Sequence, residues 1–107
     1  MSATTERFVA VARVGEIADG SVKIVRIEDT AIGVFRIGDE YFAMEDACSH
    51  DGGPLAEGSI EGEEVECPRH GARFNIRSGA VLCLPATADV PTYPVRIVGD
   101  EIQVRWS

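Results

Sequence analysis

Apolar residues in this chain recur at every second position, in short runs cut off by glycine, proline or aspartate, and that spacing constrains the fold more than any other feature. Near the C-terminus, Ile102, Val104 and Trp106 alternate with Glu101, Gln103 and Arg105, so one face is apolar and the other wet, as on a half-buried strand. Val95 to Val98 comes just before, and Gly99-Asp100 between the two runs reads as a hairpin turn. The same reasoning predicts strands at Phe8–Val14, Val22–Ile27, Ala31–Ile37 and Tyr41–Met44, with a tight turn at Gly38-Asp39-Glu40. Shorter candidates are Val65, Arg73–Ile76 and Ala80–Leu84, with Ser78-Gly79 as a turn. No segment sustains the i, i+3, i+4, i+7 spacing of an amphipathic helix. Eleven glycines and five prolines in 107 residues reinforce the pattern, and the expectation is an all-β fold, an antiparallel β-sandwich or small barrel. The length suits one domain, 1–107, with no internal repeat or linker.

Charge removes several function classes. Ten Lys+Arg against 18 Asp+Glu leave a net charge of −8, which disfavours nucleic acid and anionic membrane surfaces alike. The acidic residues, Glu57, Glu61, Glu63 and Glu64 among them, read as a solvated face that permits steering toward a basic patch on a partner. Apolar runs such as Phe8–Ala12 fall far short of the roughly 20 residues of a membrane helix. Met1–Arg7 lacks the basic start and apolar core of a secretory signal, so the chain is expected to be cytoplasmic. Three cysteines, an odd number, do not suit a disulfide framework; a reducing compartment keeps them as thiols or metal ligands.

Both histidines and two of the cysteines fall in two short motifs, Cys48-Ser-His50 and Cys67-Pro-Arg-His70, separated by 16 residues. Each sits in a Gly/Pro-rich loop between strands, where functional residues concentrate. Thiolate and imidazole together bind borderline-to-soft metals rather than calcium or magnesium. Two such pairs supply four ligands, enough for one tetrahedral zinc or for a [2Fe–2S] cluster with two cysteines on one iron and two histidines on the other. The C-x-H and C-x-x-H spacings fit zinc ribbons poorly, because those usually pair cysteines as C-x₂₋₄-C. Cys83, in the apolar run Val81–Leu84 and without a ligand partner, is expected to pack in the core, as are Phe35 and Trp106.

The ligand pattern, with His50-Asp-Gly-Gly-Pro-Leu55 and Cys67-Pro-Arg-His-Gly-Ala-Arg-Phe74 around it, resembles the two cluster loops of the Rieske iron–sulfur family. Gly79–Ala86 followed by Pro91–Val95 resembles its third, proline-bearing loop and the strand leaving it. The similarity runs from Phe8 to Trp106 and is nearest to the small Rieske-type ferredoxins that serve bacterial aromatic-ring dioxygenases. It implies a Rieske-type sandwich with a cluster-binding subdomain at approximately 45–85. It also implies one [2Fe–2S] cluster with Cys48 and Cys67 on the buried iron, and His50 and His70 on the outer iron near solvent.

Rieske proteins of respiratory complexes add one cysteine to each loop and tie the loops by a disulfide; here those positions are Gly53 and Arg69. Their serine and tyrosine hydroxyls, which bond to sulfur, are replaced here by Ala72 and Phe74. Missing hydrogen bonds and eighteen acidic residues both disfavour the more negative reduced state, so a potential of about −150 mV, at the low end of the Rieske span, is expected. Gly52, Gly53 and Gly71 are expected to let the loop backbone bend, and Pro54, Pro68 and Pro85 to stiffen it.

The sequence shows no nucleophile–base pair with an orienting third group and no phosphate-cradling glycine motif, so the expectation is that it is not itself an enzyme. The resemblance implies a one-electron carrier, a monomer docking transiently, between an NAD(P)H-dependent flavoprotein reductase and a terminal Rieske non-haem iron oxygenase. The alternative is a small fixed subunit of an assimilatory nitrite reductase or other reductase complex.

Overall fold

The computed structural model of the chain describes residues 7–47, 55–56, 58–68, 71–84, 86 and 88–106. Its strands are β1 (Phe8–Arg13), β2 (Val22–Ile27), β3 (Thr30–Ile37), β4 (Glu40–Glu45), β5 (Ser59–Glu61), β6 (Glu64–Glu66), β7 (Arg73–Asn75), β8 (Thr92–Tyr93), β9 (Val95–Val98) and β10 (Glu101–Arg105). They form three antiparallel sheets, ordered β1-β10-β9, β2-β3-β4-β8 and β5-β6-β7. Helix is absent among the described residues, so none there is long and apolar enough to cross a membrane. The fold is all-β, as the period-two spacing requires.

Four two-residue hairpins set the register. The pairs Ile27/Thr30, Ile37/Glu40, Glu61/Glu64 and Val98/Glu101 close them. In each, the first central residue has positive φ: Glu28 at 56°, Gly38 at 62°, Gly62 at 59° and Gly99 at 63°. Such turns match the right-handed twist of the flanking strands. Glu28 is the one non-glycine among them, and its carboxylate is held by Arg7 at 2.8 Å, which ties the turn to the start of β1.

Strand β3 explains the layering. Ile32, Gly33, Val34 and Phe35 are buried in succession, so both of its faces are covered. Ile32 and Val34 join Ala12, Ile102 and Val104 in a core between the first and second sheets. Phe35 joins Met44, Leu55, Val65, Phe74 and Ile76 in a second core between the second and third. The four-stranded sheet is therefore the middle layer, and β4 alternates the same way, with Ala43 toward one core and Met44 toward the other.

Three expectations need correction. Ala80–Leu84 does not form a strand: Val81 makes one bridge to Phe74, and the chain then leaves the sheet. Cys83 is consequently exposed rather than in the core, because the Leu82–Leu84 run leaves the sheet once pairing stops. Trp106 is only half-buried, stacked on Tyr93 at 5.4 Å, whereas Phe35 is fully buried as expected. Strand β8 falls within Pro91–Val95, the strand expected to leave the third loop, whereas β5 has no counterpart among the expected strands; at three residues it is too short to carry a period.

Candidate metal centre

Of the four proposed ligands, Cys67 lies among the described residues; Cys48, His50 and His70 lie outside them, as do Gly52, Gly53, Pro54, Glu57, Arg69, Pro85 and Glu6. No three His, Cys, Asp or Glu side chains among the described residues come together to hold a metal. What the fold does place is the frame around each loop.

The β6–β7 hairpin carries the second loop. The Cys67 amide donates to the Ala72 carbonyl at 2.7 Å, and the Gly71 amide donates back to the Cys67 carbonyl at 3.1 Å. This knot requires φ of +78° at Gly71, a conformation that glycine adopts without a Cβ penalty. Cys67 itself is 1% exposed and packs in the core with Leu55, Ala72 and Phe74. A thiol in that water-free setting, with the backbone wound round it, suits a metal thiolate shielded from solvent. Ala72 and Phe74 are fully buried beside it and offer no hydroxyl to sulfur.

The first loop leaves β4 and returns through Leu55 and Ala56, both fully buried. The Asp46 amide donates to the Ala31 carbonyl at 2.9 Å. Asp46 Oδ1 accepts from the Leu55 and Ala56 amides at 2.8 and 2.7 Å. Farther along, Gly58 presses on β6: a Cβ there would lie 1.7 Å from the Glu66 carbonyl oxygen.

The third segment lies against the second loop. Leu82 donates its amide to the Arg73 carbonyl at 2.8 Å, Val81 to Asp89 Oδ1 at 2.9 Å, and the Cys83 thiol points to the Gly71 carbonyl at 3.7 Å. Leu82 and Leu84 stand out at 47% and 74% exposure.

Acidic charge gathers on the same hairpin. The Arg73 guanidinium meets Glu61, Glu64 and Glu66 at 2.9, 3.2 and 2.9 Å. Three carboxylates on one cation leave an excess of negative charge there, and the hydrogen bonds that Arg73 donates to Glu61 and then Glu64 push the arginine pKa up. Glu66 Oε2 is 3.6 Å from where a Cβ on Gly71 would be, so its charge adjoins the second loop. At the far end of the hairpin Arg77 bridges Glu40 and Glu63 at 2.6 and 2.9 Å and lies over the Phe42 ring at 4.8 Å, coupling the third sheet to the middle one.

Sequence reasoning missed Asp46 and Glu66. Asp46 stands two residues before a ligand motif, but a side chain reaching amides nine and ten positions ahead has no signature in spacing.

Matched against known families, the chain fits the Rieske [2Fe–2S] domain over residues 7–94, and it belongs to that family. It is 33% identical over 103 residues to the ferredoxin component of the naphthalene 1,2-dioxygenase system of Pseudomonas aeruginosa, covering 96% of this chain and 99% of that one. It is 52% identical over 73 residues, 68% of each chain, to the anthranilate 1,2-dioxygenase ferredoxin subunit of Burkholderia cepacia. Among solved structures, a chain of the complex of reduced oxygenase and oxidized ferredoxin in carbazole 1,9a-dioxygenase superposes with a TM-score of 0.88 at 29% identity, covering 94% of both chains.

Proposed function

We propose that this chain is the ferredoxin component of an aromatic-ring dioxygenase system, an electron carrier and not a catalyst. Its Cys48, His50, Cys67 and His70 hold a Rieske-type [2Fe–2S] group within a single domain, 1–107, whose cluster-binding subdomain spans approximately 45–85. The observation that carries the reading is the buried Cys67 at the centre of a backbone knot, in a chain that matches the Rieske family from residue 7 to 94. The donor chemistry fits the group: two thiolates and two imidazoles from two loops supply two ligands to each iron. When bound, the [2Fe–2S] group takes up and gives back one electron at a time.

The residues around it do the rest. Cys67 is kept dry by Leu55, Ala72 and Phe74, which limits solvent rearrangement around the sulfur when its charge environment changes. Ala72 and Phe74 withhold hydroxyl donors, and Glu66 adds negative charge near the second loop. Both effects disfavour the reduced state and set a potential of about −150 mV, the low end of the Rieske range. As ligands of the outer iron, His50 and His70 are the electron port, and the exposed Leu82 and Leu84, on the segment that lies against Arg73 and Gly71, add an apolar rim to the second loop. The acidic face around Glu61 and Glu64 steers basic partners toward it. Contacts are weak and transient, because a shuttle must release each partner.

The terminal oxygenase is one partner, and the relative captured in a complex of oxygenase and ferredoxin supports this. The electron donor is an NAD(P)H-oxidising flavoprotein reductase in the same reducing cytoplasm. The test is a coupled reaction. Protein reconstituted with iron and sulfide should bleach in the visible when mixed without oxygen with limiting NADH and a flavoprotein reductase, and recolour when the oxidised oxygenase component, its aromatic substrate and O2 are added. Bleaching with dithionite but with no reductase tested would favour a fixed subunit, and no bleaching even with dithionite would refute the cluster assignment.

A further inference from the structure

We infer that Asp46 is the positioning residue of the first ligand loop: its carboxylate holds the two ends of segment 48–54 together and so fixes Cys48 and His50 against Cys67. This rests on the reading of Cys48 and His50 as ligands.

The two loops are closed by different means. The second is short, and its own backbone seals it, through Cys67 to Ala72 and Gly71 to Cys67. The first is longer, and among the described residues the groups that join its two ends are Asp46 Oδ1 and the amides of Leu55 and Ala56, at 2.8 and 2.7 Å. Both ends of this bridge are anchored. Asp46 is tied through its own amide to Ala31 on β3. On the other side, Leu55 and Ala56 are fully buried, and the Ala56 methyl lies 2.7 Å from where a Cβ on Gly33 would be. With Gly53 and Arg69 at the positions where some relatives carry a disulfide, no covalent strap between the loops is available. The Asp46 carboxylate instead ties the first loop's own two ends, lowering the entropic cost of closing the chain between them.

Asp46→Ala and Asp46→Asn, made in the full chain and reconstituted with iron and sulfide, test the assignment. Asparagine keeps an acceptor oxygen at the same place and loses the charge; alanine loses both. Asp46→Ala should release iron to a ferrous chelator roughly tenfold faster or more, the scale seen when groups orienting metal ligands are removed, and its low-temperature EPR g-values should shift and broaden. Asp46→Asn should restore both the lifetime and the g-values. Far-UV circular dichroism establishes that each variant is folded; if the alanine variant is not, the asparagine variant alone decides, wild-type g-values supporting the clamp and altered ones refuting it. An alanine variant with the wild-type lifetime and spectrum overturns the inference, as does an asparagine variant as impaired as alanine. Absence of a [2Fe–2S] signal in the unsubstituted protein would instead overturn the ligand assignment itself.

Discussion

Adding one methyl group at Gly58 should unfold this protein at a much lower temperature than adding the same group at Gly62. At Gly58 the new Cβ would sit 1.7 Å from the Glu66 carbonyl oxygen and 2.9 Å from its carbonyl carbon. Those are backbone atoms of β6, held in register with β5 and β7, so no side chain can swing away to make room. Relief needs a backbone shift of more than about 1 Å between the return of the first loop and the strand that leads to Cys67; overpacking of that kind costs about 3 kcal/mol or more. At Gly62 nothing lies within 4 Å of the added atom, and the cost there is the left-handed φ of +59°, about 1 kcal/mol. For a chain of this size 1 kcal/mol lowers Tm by about 4–8 °C, so Gly62→Ala should lose about that much and Gly58→Ala more than about 12 °C. Thermal unfolding followed by circular dichroism on the reconstituted protein reads both. If Gly58→Ala melts within a few degrees of wild type, or no lower than Gly62→Ala, the close approach of the first loop to β6 is wrong.

The remaining predictions address thiols, pH and charge. In the native, cluster-loaded protein one cysteine should react rapidly with a thiol reagent, and Cys83→Ser should abolish that fast phase; rapid labelling of Cys67 in the native state would contradict its burial. The hydrogen bond from Arg7, then that from Trp106, holds the Glu28 pKa below the ordinary glutamate value, and Arg77 does the same for Glu40. Because the folded values are depressed, this stabilisation is complete above the unfolded value of about 4.3 and is lost as pH falls through the folded values. Tm should therefore drop as pH is lowered from about 5 to 3, less steeply in Glu40→Gln; a Tm that rises over that interval contradicts the pairing. Glu66→Gln removes a negative charge beside Gly71 and should raise the reduction potential in a spectroelectrochemical titration, whereas a fall would refute the placement of that charge near the cluster.

The strands that alternate apolar and polar residues were legible because a half-buried strand must show one face to water. Val22–Ile27 is found with the bounds the sequence suggests, β1 and β3 differ by a residue at one end, and β4 by a residue at each end. The glycine–aspartate turns at 38–39 and 99–100 were legible because positive φ selects glycine, whereas the turn at Glu28 carries no such mark. The run Val81–Leu84 misled, since an apolar stretch is the same string whether it lies in a core or beside a binding loop. The two motifs proposed as ligands, Cys48/His50 and Cys67/His70, stand out through residue type and spacing alone. The groups that frame them, Asp46, Gly58 and Glu66, depend on contacts between segments far apart in the chain, and no local pattern records those.

Low-temperature electron paramagnetic resonance on the dithionite-reduced, reconstituted protein, with iron, sulfide and zinc counted in the same sample, tests the central claim most directly. The account predicts two irons and two sulfides per chain and a rhombic [2Fe–2S] signal of low average g, titrating well below 0 mV and near about −150 mV. A colourless, EPR-silent protein carrying one zinc would leave the three-layered β fold standing and contradict electron transfer.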